Sequence, residues 1–247
     1  MCIRDRQWGS VCGKTARTVL RGVYLQLFIL LEKEKNLLMI TKRNDLLSKK
    51  VIQGLKNRHM NGYYVHSKQE AVDLAFEIME PGSSVGWGGS DTLNKIGIKD
   101  ELYKRNFKVI DRDQAKDAEE KYKLERDCFY ADYYLMSTNA MTEDGILVNM
   151  DGHCNRVSCL CFGPRHVIMI VGMNKVTKDV ESAISRLRNV AAPINSQRFK
   201  GNRPCQLTGS CANCLAEGCI CDQLVITRNS MEPDRIHVIL VDEVLGY

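Results

Sequence analysis

Five of the eleven cysteines fall within seventeen residues, at Cys205, Cys211, Cys214, Cys219 and Cys221. Thiolates bind zinc and iron–sulfur centres tightly, and a C-x2-C pair can set two sulfurs on one metal. Cys211 and Cys214 make such a pair. Cys205 and Cys221 bracket it and complete four ligands, a set that suits either zinc or a four-iron cluster. Reactive thiols or plain buried cysteines are the alternative. A disulfide framework is not expected in a chain that shows no secretory cleavage pattern.

A second chemistry-bearing stretch is GWGGSDTL, residues 86–93. Gly88, Gly89 and Ser90, with Thr92 behind them, follow a short apolar run and open a helical stretch. Glycines there allow close backbone approach, and a helix start offers free N–H groups to an anion. A tight strand-to-helix turn explains the same residues. The spacing fits neither a dinucleotide fingerprint nor a phosphate-binding P-loop. A third stretch runs from Ser137 to Lys175. Asp151, His153, Asn155 and Arg156 fall within six residues of one another. Arg156 could clamp a carboxylate or phosphate with paired hydrogen bonds, and Asp151 or His153 could move a proton. Their ordinary roles are a turn at Asp151-Gly152 and a helix cap at Asn155. Glu143 and Asp144 precede Gly145 as in a hairpin turn. His59, His66 and His166 stand alone and read as structural.

Strands and helices must position these residues. Apolar spacing predicts a helix over 42–60, and Tyr63–Val65 reads as a strand. Ser67 with Glu70 forms a capping box for the next helix, which ends before Pro81-Gly82. Strands are expected at 84–87, 107–110, 133–137, 146–150, 167–171, 224–227 and 236–241. The 146–150 strand pairs with or follows 133–137. Helices are expected over 113–128 and from Thr177 to about Ala191, the latter stopped by Pro193. Val167–Val171 is an unbroken apolar run, the pattern of a strand buried on both faces. Cys159 and Cys161 are expected to pack within a helix. The alternation predicts an α/β domain with a largely parallel sheet and helices on both faces. Ligands in such sheets bind beyond the carboxyl ends of the strands. That rule makes the glycine turn and the segments after Ser137 and Val171 neighbours.

The 247 residues carry a net charge of +5, and residues 1–38 hold seven Lys/Arg against three acids. The remainder is nearly neutral, which gives no electrostatic footprint for nucleic acid. VYLQLFILL, residues 23–31, is about half the ~20 residues needed to span a bilayer, so no membrane span and a cytoplasmic location are expected. Residues 1–38 differ in charge and lack clear periodicity before residue 23. They are expected to be a non-native or disordered extension, with the domain covering 39–247.

GWGGSDTL, STNAMTEDGILVNMDGHCNRV, FGPRHVIMIVGMNKV, AAPINSQR and the PC-x5-C-x2-C-x6-C pattern, in this order, resemble the LUD (lactate-utilisation) domain family. The likeness is greatest to short stand-alone members with a C-terminal cysteine motif, and it covers about residues 42–247. It implies a fold of the ribose-phosphate isomerase and CoA-transferase kind with a cysteine-rich loop at 204–223. It also implies a role in oxidising L-lactate to pyruvate beside an iron–sulfur redox partner. The motif positions fall on Gly88, Gly89, Ser90, Asn139, Gly145, Asp151, Gly152, Asn155, Arg156, Asn174 and Lys175. The metal set it implies is Cys205, Cys211, Cys214 and Cys221, with an iron–sulfur cluster or zinc as cofactor. Two positions depart from the pattern: Cys219, which could replace Cys221, and Cys154.

Two functions compete. In one, the chain binds a small hydroxy or keto acid at the glycine turn with Arg156 gripping its carboxylate. No flavin or nicotinamide fingerprint is present, so the hydride acceptor is expected on another chain. In the other, the chain is a transferase or isomerase of a phosphorylated sugar or acyl-CoA, with Glu143 as nucleophile or base. A metal-stabilised regulatory protein is a third reading. A homo-oligomer is compatible with any of them.

Overall fold

The computed structural model describes the backbone of residues 6–247 and the side chains of residues 28–247. The chain forms two compact units, Met1–Leu46 and Leu47–Tyr247. Helix α1 (Arg6–Asn57) makes up the described part of the first unit, and its last turns, from Leu47, belong to the second. The segment expected as an extension is therefore helical from Arg6, and Phe28–Leu31 and Leu37–Ile40 are exposed on it.

The second unit is built on six parallel strands. They are β1 (Asn61–Val65), β2 (Ser84–Trp87), β3 (Lys108–Ile110), β4 (Tyr133–Met136), β7 (His166–Gly172) and β10 (Ile236–Val241). Their order across the sheet is β1-β10-β7-β4-β2-β3, with every pairing parallel. The remaining strands, β5 (Ala140–Thr142), β6 (Leu147–Asp151), β8 (Val176–Thr177) and β9 (Gln223–Thr227), form a smaller mixed sheet ordered β8-β5-β6-β9.

The central strands show why an apolar run was needed. Val167, Met169 and Val171 of β7 face one core with Val51, Leu55 and Met141. Ile168 and Ile170 of the same strand face a second core with Ala71, Val85 and Leu93. Side chains alternate across a strand, so a two-sided core demands hydrophobes at every position. Helices α2 (Lys68–Ile78), α3 (Asp91–Ile96) and α4 (Ile98–Tyr103) serve the second core through Val72, Ala75, Ile96 and Leu102. Residues of α1 from Leu47 and of α6 (Asn155–Cys161) serve the first. Helix α7 (Val180–Arg186) supplies Ala183 to a third cluster with Ala140 and Val148 of the small sheet.

Ser67 caps α2 as expected, its Oγ accepting from Glu70 N at 3.2 Å, but the reciprocal half of the box is shifted by one residue: Glu70 Oε2 accepts from His66 N at 3.1 Å, not from Ser67 N. Of the two placements open for the 146–150 strand, following 133–137 rather than pairing with it holds: β6 turns back on β5 in the other sheet. Two helix expectations are corrected. Pro193 does not end a helix. A π-helical turn at Leu187–Ala191 intervenes, and Pro193 sits in the first turn of α8 (Ala192–Ser196), where a missing N–H costs nothing. The charged 113–128 segment is α-helical only as α5 (Ala118–Asp127), with short 3-10 turns at Arg112–Gln114 and Cys128–Tyr130 on either side. Cys159 is buried, whereas Cys161 at the end of α6 is exposed.

Candidate active site

Four neighbouring strands, β10, β7, β4 and β2, deliver the polar segments to one edge of the sheet. Beyond β2 lie Gly88, Gly89 and Ser90; beyond β4, Ser137 to Asn139; beyond β7, Asn174 and Lys175; beyond β10, residues 242–246. Ser90 caps α3, its Oγ accepting from Leu93 N at 3.3 Å.

Lys175 is the centre of this edge. It is 3% exposed, and its Nζ donates to Thr92 Oγ1 and Ser137 Oγ, each at 3.0 Å. Thr92 Oγ1 in turn donates to Leu245 O at 3.4 Å, and Ser137 Oγ to Thr138 O at 3.4 Å. Among the described residues, no carboxylate forms an ion pair with Lys175. Burial lowers its pKa to about 7, and the guanidinium groups of Arg186 and Arg156 push the same way. Asp91 acts in the opposite sense, by less than either arginine, and is itself paired with Lys95 at 3.0 Å.

Arg186, on the last turn of α7, was not picked out from sequence. Its Nε donates to Asn174 O at 3.2 Å and its Nη1 to Asn139 O at 2.6 Å. Its Nη2 makes no hydrogen bond among the described residues. Arg186 thus ties the ends of two sheet-edge segments together and keeps one N–H pair for another acceptor.

Arg156 is differently employed. Its Nη1 donates to Ser137 O at 3.1 Å and Asn149 Oδ1 at 2.7 Å; its Nη2 donates to Asn139 Oδ1 at 3.0 Å and Met150 O at 2.9 Å. Asp151 lies 3.5 Å from its Nε and accepts from Val157 N at 3.2 Å, steadying the start of α6. Both terminal nitrogens of Arg156 are spent within the protein, so its guanidinium is a brace between sheet edge and α6. The glycines serve this bracing. A Cβ on Gly88 would stand 2.7 Å from Tyr134 OH and 2.8 Å from Arg156 Cγ, and one on Gly89 2.9 Å from Arg112 Nη2. The protein's own side chains use that bare backbone. Arg112, another residue the sequence did not disclose, is paired with Glu125 there.

The other sequence-derived residues lie apart from Lys175. Glu143 sits in the β5–β6 turn, bonded to Lys50 at 2.6 Å and Lys178 at 3.1 Å, and these bonds hold its carboxyl below the usual range. Gly145 occupies the same turn at φ 90°. His153 and Asn155 line a separate cavity of about 420 Å³ with Cys154, Tyr122, Phe129 and Tyr130. Cys154, not Asn155, is the N-cap of α6, with φ 62°.

The cysteine segment begins with α9 (Pro204–Thr208) and continues irregularly to Asp222. Burial pushes the Cys221 thiol up to about 12, and the sulfurs of Cys219, Cys211 and Cys205 add to the effect. The donors are of the right chemistry for a soft metal. Among the described residues, however, no group of three or more His, Cys, Asp or Glu side chains is arranged to hold a metal ion.

Comparison with known proteins adds three findings. A family model described as the LUD domain matches residues 48–241. A crystal structure of a DUF162 family protein from Deinococcus radiodurans is similar at 12% identity. The match covers 80% of this chain and 98% of the other, with a TM-score of 0.45. No curated protein matches. Among the described residues, no helix is long and apolar enough to cross a membrane.

Proposed function

This chain belongs to the LUD domain family, and from that premise we propose that it binds a small 2-hydroxy or 2-oxo acid at the Lys175 edge of the sheet, as a component of a system that oxidises L-lactate to pyruvate. The observation that supports this reading is a guanidinium without a counter-ion: among the described residues Arg186 has no carboxylate partner and keeps its Nη2 unspent, and the Lys175 amine feels its charge. Burying positive charge without compensation is costly, and an incoming carboxylate removes that cost through charge-assisted hydrogen bonds. In this reading Arg186 rather than Arg156 receives the carboxylate. The ligand's second carbon then lies toward Lys175. Oxidation of the hydroxy acid releases a hydride from that carbon and a proton from its hydroxyl. The hydride acceptor belongs to a partner protein.

Calorimetric titration of the reduced protein with lactate and with pyruvate tests the proposal. Saturable heat at millimolar ligand is expected, with loss of that heat in Arg186→Met. Absence of heat with both acids in a folded protein would sink it.

A further inference from the structure

We infer that Lys175 is an amine nucleophile that condenses with the carbonyl of a short 2-oxo acid to form an imine. The inference rests on the binding site proposed above and extends it from holding a ligand to reacting with one.

The hydrogen-bond arrangement carries the argument. A neutral amine has two N–H donors and one lone pair, whereas an ammonium has three donors and no lone pair. Lys175 Nζ has two acceptors, Thr92 Oγ1 and Ser137 Oγ. Both hydroxyls direct their own protons elsewhere, to Leu245 O and Thr138 O, so each is fixed as an acceptor for the lysine. Among the described residues no third acceptor meets Nζ, and an ammonium here would leave one N–H unsatisfied in a buried place. The two-donor amine fits, and its lone pair is unused. The charges facing it are Arg186 from α7, Arg156 from α6, and Asp91 and Lys95 from α3. Three of the four are cationic and favour the neutral form, which is the usual way a lysine is made nucleophilic.

The approach to the amine is covered by the segment after β10. Leu245 N donates to Asn174 Oδ1 at 3.2 Å, and Asn174 Nδ2 to Gly246 O at 3.4 Å. A Cβ on Gly246 would lie 2.6 Å from Thr92 Oγ1 and 3.1 Å from Lys175 Nζ, so only a glycine fits over the amine. These bonds lie at the long end of the hydrogen-bond range. Their release uncovers Nζ without disturbing the sheet.

The step balances without an added reagent. The Nζ lone pair attacks the carbonyl carbon, and the oxygen takes up one proton from the nitrogen to give a carbinolamine. The carbon–oxygen bond then breaks, the second nitrogen proton leaves with the hydroxyl as water, and a C=N bond forms. The imine places a cationic nitrogen beside the acid's carbon skeleton when it is protonated and can accept electrons from it.

The test is reductive trapping. Full-length protein is incubated near neutral pH with pyruvate and cyanoborohydride, digested, and mapped by mass spectrometry. The hydride adds to the imine carbon, so the expected product is a 1-carboxyethyl group on Lys175. At about pH 7 the neutral fraction of this amine exceeds that of an ordinary lysine by about a thousandfold. Labelling of Lys175 well ahead of exposed lysines such as Lys123 is expected, and lactate, which lacks a ketone carbonyl, should compete without labelling. Pyruvate heat in calorimetry with no label at Lys175 would overturn the covalent step and leave the binding site standing. No heat and no label would overturn both. Label spread over exposed lysines with Lys175 unmodified would also overturn the inference.

Discussion

Replacing Lys175 with methionine should change how stability depends on pH. In the folded chain the amine gives up its proton at about 7. In the unfolded chain a lysine keeps it to about 10.4. Below the folded value both states are protonated, and the folded protein bears the full cost of a buried ammonium. Between the two values the unfolded state holds the extra proton, so stability rises with pH. From about pH 7 to about pH 9 the difference integrates to about 2 kcal/mol. Cys128, pushed up to about 11, and Cys159 and Cys221, pushed up to about 12, act in the opposite sense at the alkaline end. They are present in both proteins and cancel in the comparison. Urea unfolding of wild type and Lys175→Met across this range is the assay. Wild type should gain about 2 kcal/mol relative to the variant. Parallel profiles would show that Lys175 keeps an ordinary affinity for its proton, and the account of the buried edge would fail.

Three further outcomes are expected. Arg156→Lys cannot reproduce the forked bonds to Ser137, Asn149, Asn139 and Met150, and should lower stability by about 3 kcal/mol, read from the urea midpoint. Gly88→Ala drives a methyl against Tyr134 and Arg156; a loss of about 1–3 kcal/mol is expected, whereas an unchanged melting temperature would show slack at that turn. Among the described residues the cysteine segment presents no group arranged around a metal, so zinc added to reduced protein should leave the alkylation rates of Cys205, Cys211, Cys214 and Cys221 unchanged in a peptide map. Slowed alkylation of all four would show that the segment gathers around the ion.

The sheet was legible because its signals are local. Alternation of the two cores along Val167–Val171 requires an unbroken apolar run, and Ser67 with Glu70 is a cap confined to four residues. The convergence of Ser90, Asn139 and Lys175 at one edge followed from the rule that the carboxyl ends of parallel strands lie together. The duties of individual residues were not legible. Arg156 looks free in sequence, but its acceptors come from β6 and the segment after β4, and no spacing rule reports that. Arg186 lies in the helix expected from Thr177 to about Ala191, but its role appears only when α7 meets the carbonyls of Asn139 and Asn174. Pro193 misled because a π-helical turn, which has no simple sequence signature, lets the helical path resume.

The position of β10 between β1 and β7 has a consequence for synthesis on the ribosome. Tyr63 of β1 meets His237 of β10, 174 residues later in the chain. At about 5–20 residues per second, β1 waits about 10–35 s for its partner to be made. Once β7 is made, it too is open along the side that β10 will fill, for about the last 3–13 s of that interval. Nascent chains arrested before residue 236 should therefore expose two unpaired strand edges and bind chaperones that hold extended apolar segments. Release of the chaperone should coincide with emergence of Ile236–Val241 from the exit tunnel.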